Sequence, residues 1–600
     1  MIKKNTIIMI DPASDMEEFV VTCRSIEDLE SLYNDIETAG GSDTIPDRAI
    51  PVYSRRQLSQ NTHYMLTAEE AEILLKDDRV ISIENVKFVE QSIKLHSYEQ
   101  TGAFSKSSTQ VSMDPTYRNW ALLRCIEGIQ RSGWGASSTY EPTGFVNYAN
   151  TSQVQNATIT IGPTGKNVDV IIMDGICGVP NHPEFAKNAD GTGGSRYIQF
   201  DWYQLNTLTA SLDDDASTLL SGSYSYAKES NTTNANHGAH VTGTVAGNTC
   251  GWARDANIYQ LGPLGEQGIS ALIIWDYVRA FHKSKPINPE TGRKNPTICN
   301  CSYGSTVTFP STYFGPITEG TRRGVTVGDY TKDTALTSSQ LNSVGMYNTT
   351  YLGQVQSSVP YYSTANAADI TAALNDGIII VAAAGNDSYF IDTTNGLDYN
   401  NDFIAKFSPT GNPPTGTAYL WYQHKGTVPC GVPGVICVGA TDAIATERKG
   451  GYSNTGPRID IFAPGTWIVS SIVTSTGDWG GSSAADSRNS SYYIGREVGT
   501  SMASPQVCGV LACLLELYPS MTPAQARSLI ISYAKTGQLS DAGGTSPSWT
   551  SNAYSLQGAP NRYLYLPKER PASGEMYPKQ NHMLRPTSGI MYPRRSVRIR

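Results

Sequence analysis

The sequence predicts an α/β protein: a mostly parallel central sheet covered by helices on both faces, preceded by a small α+β unit. Three observations predict it. The runs Val168-Asp169-Val170-Ile171-Ile172-Met173 and Ile378-Ile379-Ile380-Val381-Ala382-Ala383-Ala384 are near-continuously apolar, as strands buried on both faces are. Helical patterns alternate with such runs, for example Ala367 to Leu374, closed by Gly377. The first 95 residues read differently, as strand–helix–strand–helix–strand, the order of a small α+β sandwich.

Within that first unit, Phe19 to Cys23, Thr62 to Leu66 and Val80 to Glu84 are the expected strands. Ser25, with Asp28 three residues on, caps a helix through Tyr33; Thr67, with Glu70, caps a second through Lys76. Residues 96–115 are polar and aperiodic and read as an exposed linker. From residue 116 strands and helices alternate. The strand ending at Asp174 is followed by a helix expected to start near His237, a strand at Thr297 to Cys301 and the strand leading to Gly385-Asn386. Thr522-Pro523-Ala524-Gln525 is a capping box that opens a helix to about Ala534. Regions 133–165, 186–234, 304–360, 390–425 and 472–495 are rich in Gly, Ser, Thr, Asn and Tyr and read as surface insertions.

A length of 600 residues and 39% hydrophobic content give room for a large core, and 55 Gly with 34 Tyr indicate a loop-rich globular chain. The net charge of −9 gives no general case for nucleic acid as a partner. The apolar run in residues 1–10 is too short for a signal peptide and lacks a cleavage site. No run reaches the roughly 18 apolar residues of a membrane span. The chain is therefore expected to be soluble, not exported by the usual secretory route, and without a membrane partner. Ten cysteines lie mostly in apolar runs with no C-x-x-C spacing. That favours free buried thiols, with a Cys430–Cys437 disulfide as the alternative.

The chemistry centres on Gly499-Thr500-Ser501-Met502-Ala503-Ser504-Pro505 and the apolar run Val507 to Leu515 behind it. Pro505 suits only the first turn of a helix, so the helix should begin close to Ser501. A serine there meets free backbone N–H groups and the positive end of the helix dipole, a setting for a nucleophile that builds up negative charge. The competing reading is a Ser cap on a core helix. Acyl transfer needs a base, a carboxylate to orient it and donors for an oxyanion. Asp174 ends a buried strand, His237 lies in Asn236-His237-Gly238-Ala239-His240, and Asn386 ends Ala382-Ala383-Ala384-Gly385-Asn386.

In this order, Asp, His, Asn and Ser, the four blocks resemble the subtilisin-like serine proteases (subtilases, peptidase family S8), nearest the proteinase-K-like branch. Asn300-Cys301-Ser302-Tyr303-Gly304, Gly434 to Ala440, Ile461-Phe462-Ala463-Pro464-Gly465 and Ala559 to Tyr565 extend the resemblance. Asn119 to Arg124 is similar to the start of a mature enzyme, and residues 1–95 resemble, less specifically, the family's inhibitory propeptide. The resemblance implies a three-layer subtilisin-like sandwich over residues 116–567. It implies a self-processing serine endopeptidase acting on protein or peptide substrates, with its own propeptide as a partner and no cofactor needed for catalysis. Ser501 would be nucleophile, His237 general base, Asp174 its orienting carboxylate, and Asn386 with the Ser501 N–H the oxyanion hole. His240 and Ser504 would be structural, Ser504 bonding local backbone.

Ser302, Tyr303 and Gly304 would pair with an extended substrate. Ala383, Ala384 and Gly385 would line a first pocket suited to apolar or aromatic side chains. The family's turn before the serine block would be Ile461 to Gly465. Structural Ca2+ is common in the family; Asp213-Asp214-Asp215 offers carboxylates, but no ligand set follows, and solvated loop charge is preferred. The tail, residues 568–600, has no counterpart. Its motif Arg570-Pro571-Ala572-Ser573-Gly574-Glu575-Met576-Tyr577-Pro578 recurs from Arg585 to Pro593, basic and Pro-rich, as a docking peptide would be. The alternative function is a virion- or assembly-associated protein on a subtilase scaffold, docked by this tail. The location would be cytoplasmic, or virion-associated if the protein is phage-encoded.

Overall fold

The structure, a computed structural model, describes residues 3–4, 16–37, much of 50–86, 89, 93–95, 120–127, 163–206, most of 223–541, and 553–567. The linker 96–115, the Asp213-Asp214-Asp215 cluster and the duplicated tail lie outside the described residues.

An eight-stranded sheet forms the centre. Its order is Lys535–Thr536, Arg562–Tyr563, Ile461–Pro464, Ile436–Thr441, Ile379–Ala383, Thr297–Cys301, Asp169–Met173 and Asn257–Leu261. All neighbours are parallel except the first pair. The apolar strands sit mid-sheet and are buried along their length, so the predicted α/β class holds. Ile461–Pro464 is one of these strands rather than the expected turn. The helix Thr232–Ala246 starts five residues before His237, capped by the Asn231 side chain on the N–H groups of Thr233 and Asn234. The helix Thr500–Leu517 runs through the core, and all its residues from Thr500 to Leu515 are buried. By length and composition it is the one helix among the described residues that could cross a bilayer, a candidate the sequence reading did not register; here 89% of it is buried inside the protein.

Residues between Phe19 and Ile83 contribute a separate small core. A four-stranded antiparallel sheet, in the order Val52–Ser54, Asn61–Leu66, Glu17–Cys23 and Val80–Asn85, packs against helices Ile26–Ile36 and Ala68–Leu74. Val52–Ser54 adds a strand to the predicted order. Ser25 and Thr67 cap the two helices as expected, Thr67 and Glu70 as a complete capping box. The four-stranded sheet lies on the helix Thr364–Asn375.

Three of the stretches read as surface insertions, 304–360, 390–425 and 472–495, carry strands. Tyr303–Phe309 pairs with Gln354–Pro360. Phe314–Arg322, Val325–Gly328, Asp402–Phe407 and Thr417–Tyr422 form a second sheet whose far edge is the strand Lys3–Lys4. In its core Phe309 packs edge-to-face or tilted on Phe314, Phe403 and Trp421, Phe314 packs edge-to-face on Trp421, and Phe403 and Trp421 lie near-parallel. Ile468–Ile472, Asn489–Glu497 and Ser483–Asp486 make a third sheet beside the His237 helix.

All ten cysteines are free and buried, Cys430 and Cys437 included. Under the central sheet, the buried Arg458 donates to the carbonyls of Val432 (2.9 Å) and Val435 (2.7 Å) and to Asp460 (3.0 Å). Arg527 holds the other Asp460 oxygen (2.9 Å).

Candidate active site

Asp174, His237, Asn386 and Ser501 come from four separate elements, two strand ends and two helices. Asp174 follows the strand Asp169–Met173 and Asn386 follows Ile379–Ala383, both at the carboxyl edge where parallel sheets hold ligands. His237 lies in the second turn of Thr232–Ala246, and Ser501 is the second residue of Thr500–Leu517. Asp174, His237 and Ser501 are 0% exposed, so water is kept from all three side chains.

Asp174 Oδ1 lies 2.7 Å from His237 Nδ1 and accepts the Gly175 N–H at 2.7 Å. A carboxylate can only accept, so the bond fixes the imidazole proton on Nδ1 and makes Nε2 the basic nitrogen. Burial pushes the Asp174 carboxyl above its ordinary pKa, opposed by His237 and the Gly175 N–H. Gly238 lets the two elements touch: a Cβ there would stand 1.7 Å from the Gly175 carbonyl oxygen. His240, on the same helix, faces away to bond the Ile468 carbonyl (2.8 Å), and burial lowers its pKa to about 3. It is a packed, neutral histidine, as expected.

The Ser501 hydroxyl donates to the Ser302 carbonyl (3.0 Å). Pro505 is not in the first turn; counting from Thr500 it is the sixth residue. Its missing N–H would have bonded the Ser501 carbonyl, and Ser302 Oγ takes that bond at 3.0 Å. Asn300 Nδ2 donates to Ser302 Oγ (2.9 Å), and Ser504 Oγ donates to Asn300 Oδ1 (3.0 Å). Ser504 therefore bonds side chains on the neighbouring strand, not local backbone, and the ring ties the helix start to Thr297–Cys301.

Thr500 was not singled out from the sequence beyond its place in the motif. Its N–H and its hydroxyl both donate to Asn386 Oδ1, at 2.9 and 2.8 Å, and its Oγ1 also accepts the Gly385 N–H at 3.1 Å. A backbone N–H can only meet the amide oxygen, so Thr500 decides which way the Asn386 amide faces. The Asn386 Nδ2 group is buried with no hydrogen-bond partner among the described residues. Gly385, at φ +103°, makes the turn that brings Asn386 there. Ala383 and Ala384 just before it are fully buried. Tyr303, Gly304 and Ser305 are paired with Leu95, Lys94 and Ile93 in antiparallel register. Among the described residues no group of three or more His, Cys, Asp or Glu is placed to hold a metal ion.

The subtilase-family profile matches residues 165–554, well over half of the chain. The chain belongs to the subtilase family. This subtilase is 32% identical over 185 residues to the extracellular serine proteinase of Thermus sp. (strain Rt41A), covering 31% of the chain and 33% of that protein. It is 24% identical over 329 residues to alkaline protease 1 of Aspergillus clavatus, covering 55% and 51%. The subtilase thus spans well under two thirds of either relative's length. Among solved structures, fervidolysin from Fervidobacterium pennivorans aligns over 91% of the chain and 60% of its own, at 16% identity and a TM-score of 0.44.

Proposed function

We propose that this subtilase is a serine endopeptidase, made as a zymogen whose residues 1–95 block the cleft. The observation that carries the reaction type is the buried Asp174–His237 bond at the sheet edge where the Ser501 helix begins. In the proposed reaction His237 Nε2 takes the Ser501 hydroxyl proton as Oγ attacks the substrate carbonyl carbon. Asp174 steadies the imidazolium, and the oxyanion accepts from Asn386 Nδ2 and the Ser501 N–H. The protonated His237 then gives its proton to the leaving amine, and water repeats the cycle on the acyl-enzyme. An extended substrate would add a strand to Ser302, Tyr303 and Gly304. The small walls at Ala383, Ala384 and Gly385 favour an apolar or aromatic side chain next to the scissile bond.

What supports the zymogen reading is that Ile93–Leu95 pairs with the strand assigned to substrate. Cutting within residues 96–115 would release that hold. A fluorophosphonate probe is expected to label the wild-type chain and not Ser501→Ala; equal labelling of both sinks the assignment. Intact mass of an active preparation is expected to show loss of covalent continuity near residue 96–115. A fully active, full-length product rules out required self-cleavage.

A further inference from the structure

The turn that carries Asn386 leaves the strand Ile379–Ala383 through two residues of left-handed backbone, Gly385 at φ +103° and Ser388 at φ +55°. The second is not a glycine, and a side chain at such an angle persists only where its surroundings hold it. Residues 449–455 do the holding. The Asn454 N–H donates to the Gly385 carbonyl (2.9 Å), the Thr455 N–H to the Tyr389 carbonyl (2.8 Å) and the Ser388 N–H to the Tyr452 carbonyl (2.9 Å). Ser388 Oγ donates to the Gly451 carbonyl. Lys449, 1% exposed, closes the segment on itself: its ammonium donates to the carbonyls of Gly450 (3.0 Å) and Ser453 (2.8 Å).

Asn454 lies at the centre of this clamp, with its side chain buried. Oδ1 accepts two backbone N–H groups, from Asp387 (3.1 Å) and Tyr389 (2.8 Å), and Nδ2 donates to the Ala384 carbonyl (2.7 Å). Two donors must meet the oxygen and a carbonyl must meet the nitrogen, so one orientation of the amide satisfies all three. With its own N–H, the residue grips positions 384, 385, 387 and 389, on both sides of Asn386. Thr500 sets how the Asn386 amide is turned. Asn454 sets where the backbone under that amide stands.

We propose that Asn454 is a positioning residue for the reaction: it holds the backbone on both sides of Asn386 at the place from which Nδ2 reaches the oxyanion. This rests on the reading of Asn386 as an oxyanion donor. A donor aimed at charge that exists only in the transition state helps most if it is already in place, because a loose donor spends part of its attraction on being ordered. Without the Asn454 amide, three backbone groups of a buried turn lose this partner, and the left-handed Ser388 is free to relax. Nδ2 then occupies a spread of positions, and the loss falls on kcat. The substrate, paired as a strand with Ser302, Tyr303 and Gly304, binds in its ground state as before.

The test is a double-mutant cycle on active enzyme made from the full chain, with kcat and KM measured on a peptide substrate. Asn386→Leu is expected to lower kcat about a hundredfold or more, the scale of a lost oxyanion donor in this family. Asn454→Ala is expected to lower kcat about tenfold, with KM changed by less than about twofold. The two together are expected to match Asn386→Leu alone within about twofold, because a displaced turn then has no donor left to misplace. Asn454→Ser, whose shorter hydroxyl can still hold one N–H, is expected to lose less than Asn454→Ala, and it takes that variant's place in the cycle if the alanine chain does not fold. An Asn454 loss that multiplies in full with that of Asn386→Leu overturns the proposal, as does a loss confined to KM or an unchanged kcat. An unchanged kcat in Asn386→Leu fells the oxyanion reading itself, and this proposal with it.

Discussion

At the scale of single residues, Thr500 sets the orientation of Asn386, the proposed oxyanion donor. Two of its donors converge on Asn386 Oδ1 and so aim Nδ2. Thr500→Val keeps the shape and the N–H but removes the hydroxyl donor. It is expected to lower kcat about tenfold with KM little changed, because the lost orientation matters most when charge develops. Steady-state kinetics on a peptide substrate check this, with Asn386→Leu as the limit. Loss of one oxyanion donor costs about 10²–10³ in kcat, a range that itself comes from a member of this family. Ser501, His237, Asp174 and Asn386 were legible because their types and order are diagnostic together. The work of Thr500, Ser302 and Ser504 was not. A motif gives the residue type, whereas these roles depend on which oxygen faces which across 114 to 204 positions of sequence separation.

At the scale of elements, the His237 helix shows what sequence could and could not place. It is buried from Ala235 to Ala246, so it has no apolar stripe to mark its start. Its beginning is set by Asn231, one polar residue in a run of polar residues. Its packing rests on Gly238, where a Cβ would strike the Gly175 carbonyl. Gly238→Ala is expected to push the helix off the Asp174 strand. It should cost about 1–3 kcal/mol or more and remove most activity, read as a shifted urea midpoint together with a lost fluorophosphonate rate. The central strands were legible because burial on both faces leaves an apolar run that nothing else resembles. The second sheet was not. Phe314–Arg322 pairs with Asp402–Phe407 some eighty positions away, with two register shifts, and its Gly-, Ser- and Thr-rich sequence resembles loop. Pairing at such distance is a tertiary fact that no local window contains.

Among the described residues of the whole molecule, His182, His240 and His424 are buried and His282 is half-buried, and each is held below its ordinary pKa. Burial lowers the pKa of His182 and takes His240 to about 3, and His282 and His424 to about 4. In the unfolded chain each would titrate near its ordinary value of about 6.5. Below that pH the unfolded state takes up protons that the folded state refuses. The stability is therefore complete above about pH 6.5 and is lost as pH falls toward about 4. The carboxyls of Asp174, Glu84 and Asp369, raised by burial, act in the opposite sense. The comparison that isolates a histidine is therefore a difference curve. Urea midpoints of Ser501→Ala against Ser501→Ala/His424→Gln, from pH 7.5 to 4.5, are expected to show a shallower acid loss in the second. Parallel curves would show that His424 does not contribute.

One feature of the core bears on how such a chain meets its surroundings. The carbonyls of Val432 and Val435 and the carboxylate of Asp460 converge on a positive charge, and that charge is Arg458. A counter-ion that belongs to the polypeptide is delivered in fixed proportion when the chain is made. It cannot exchange with the medium, be outcompeted by another ion or be drawn off by a chelator, so this junction of the central sheet is charged and filled whatever salts the protein encounters.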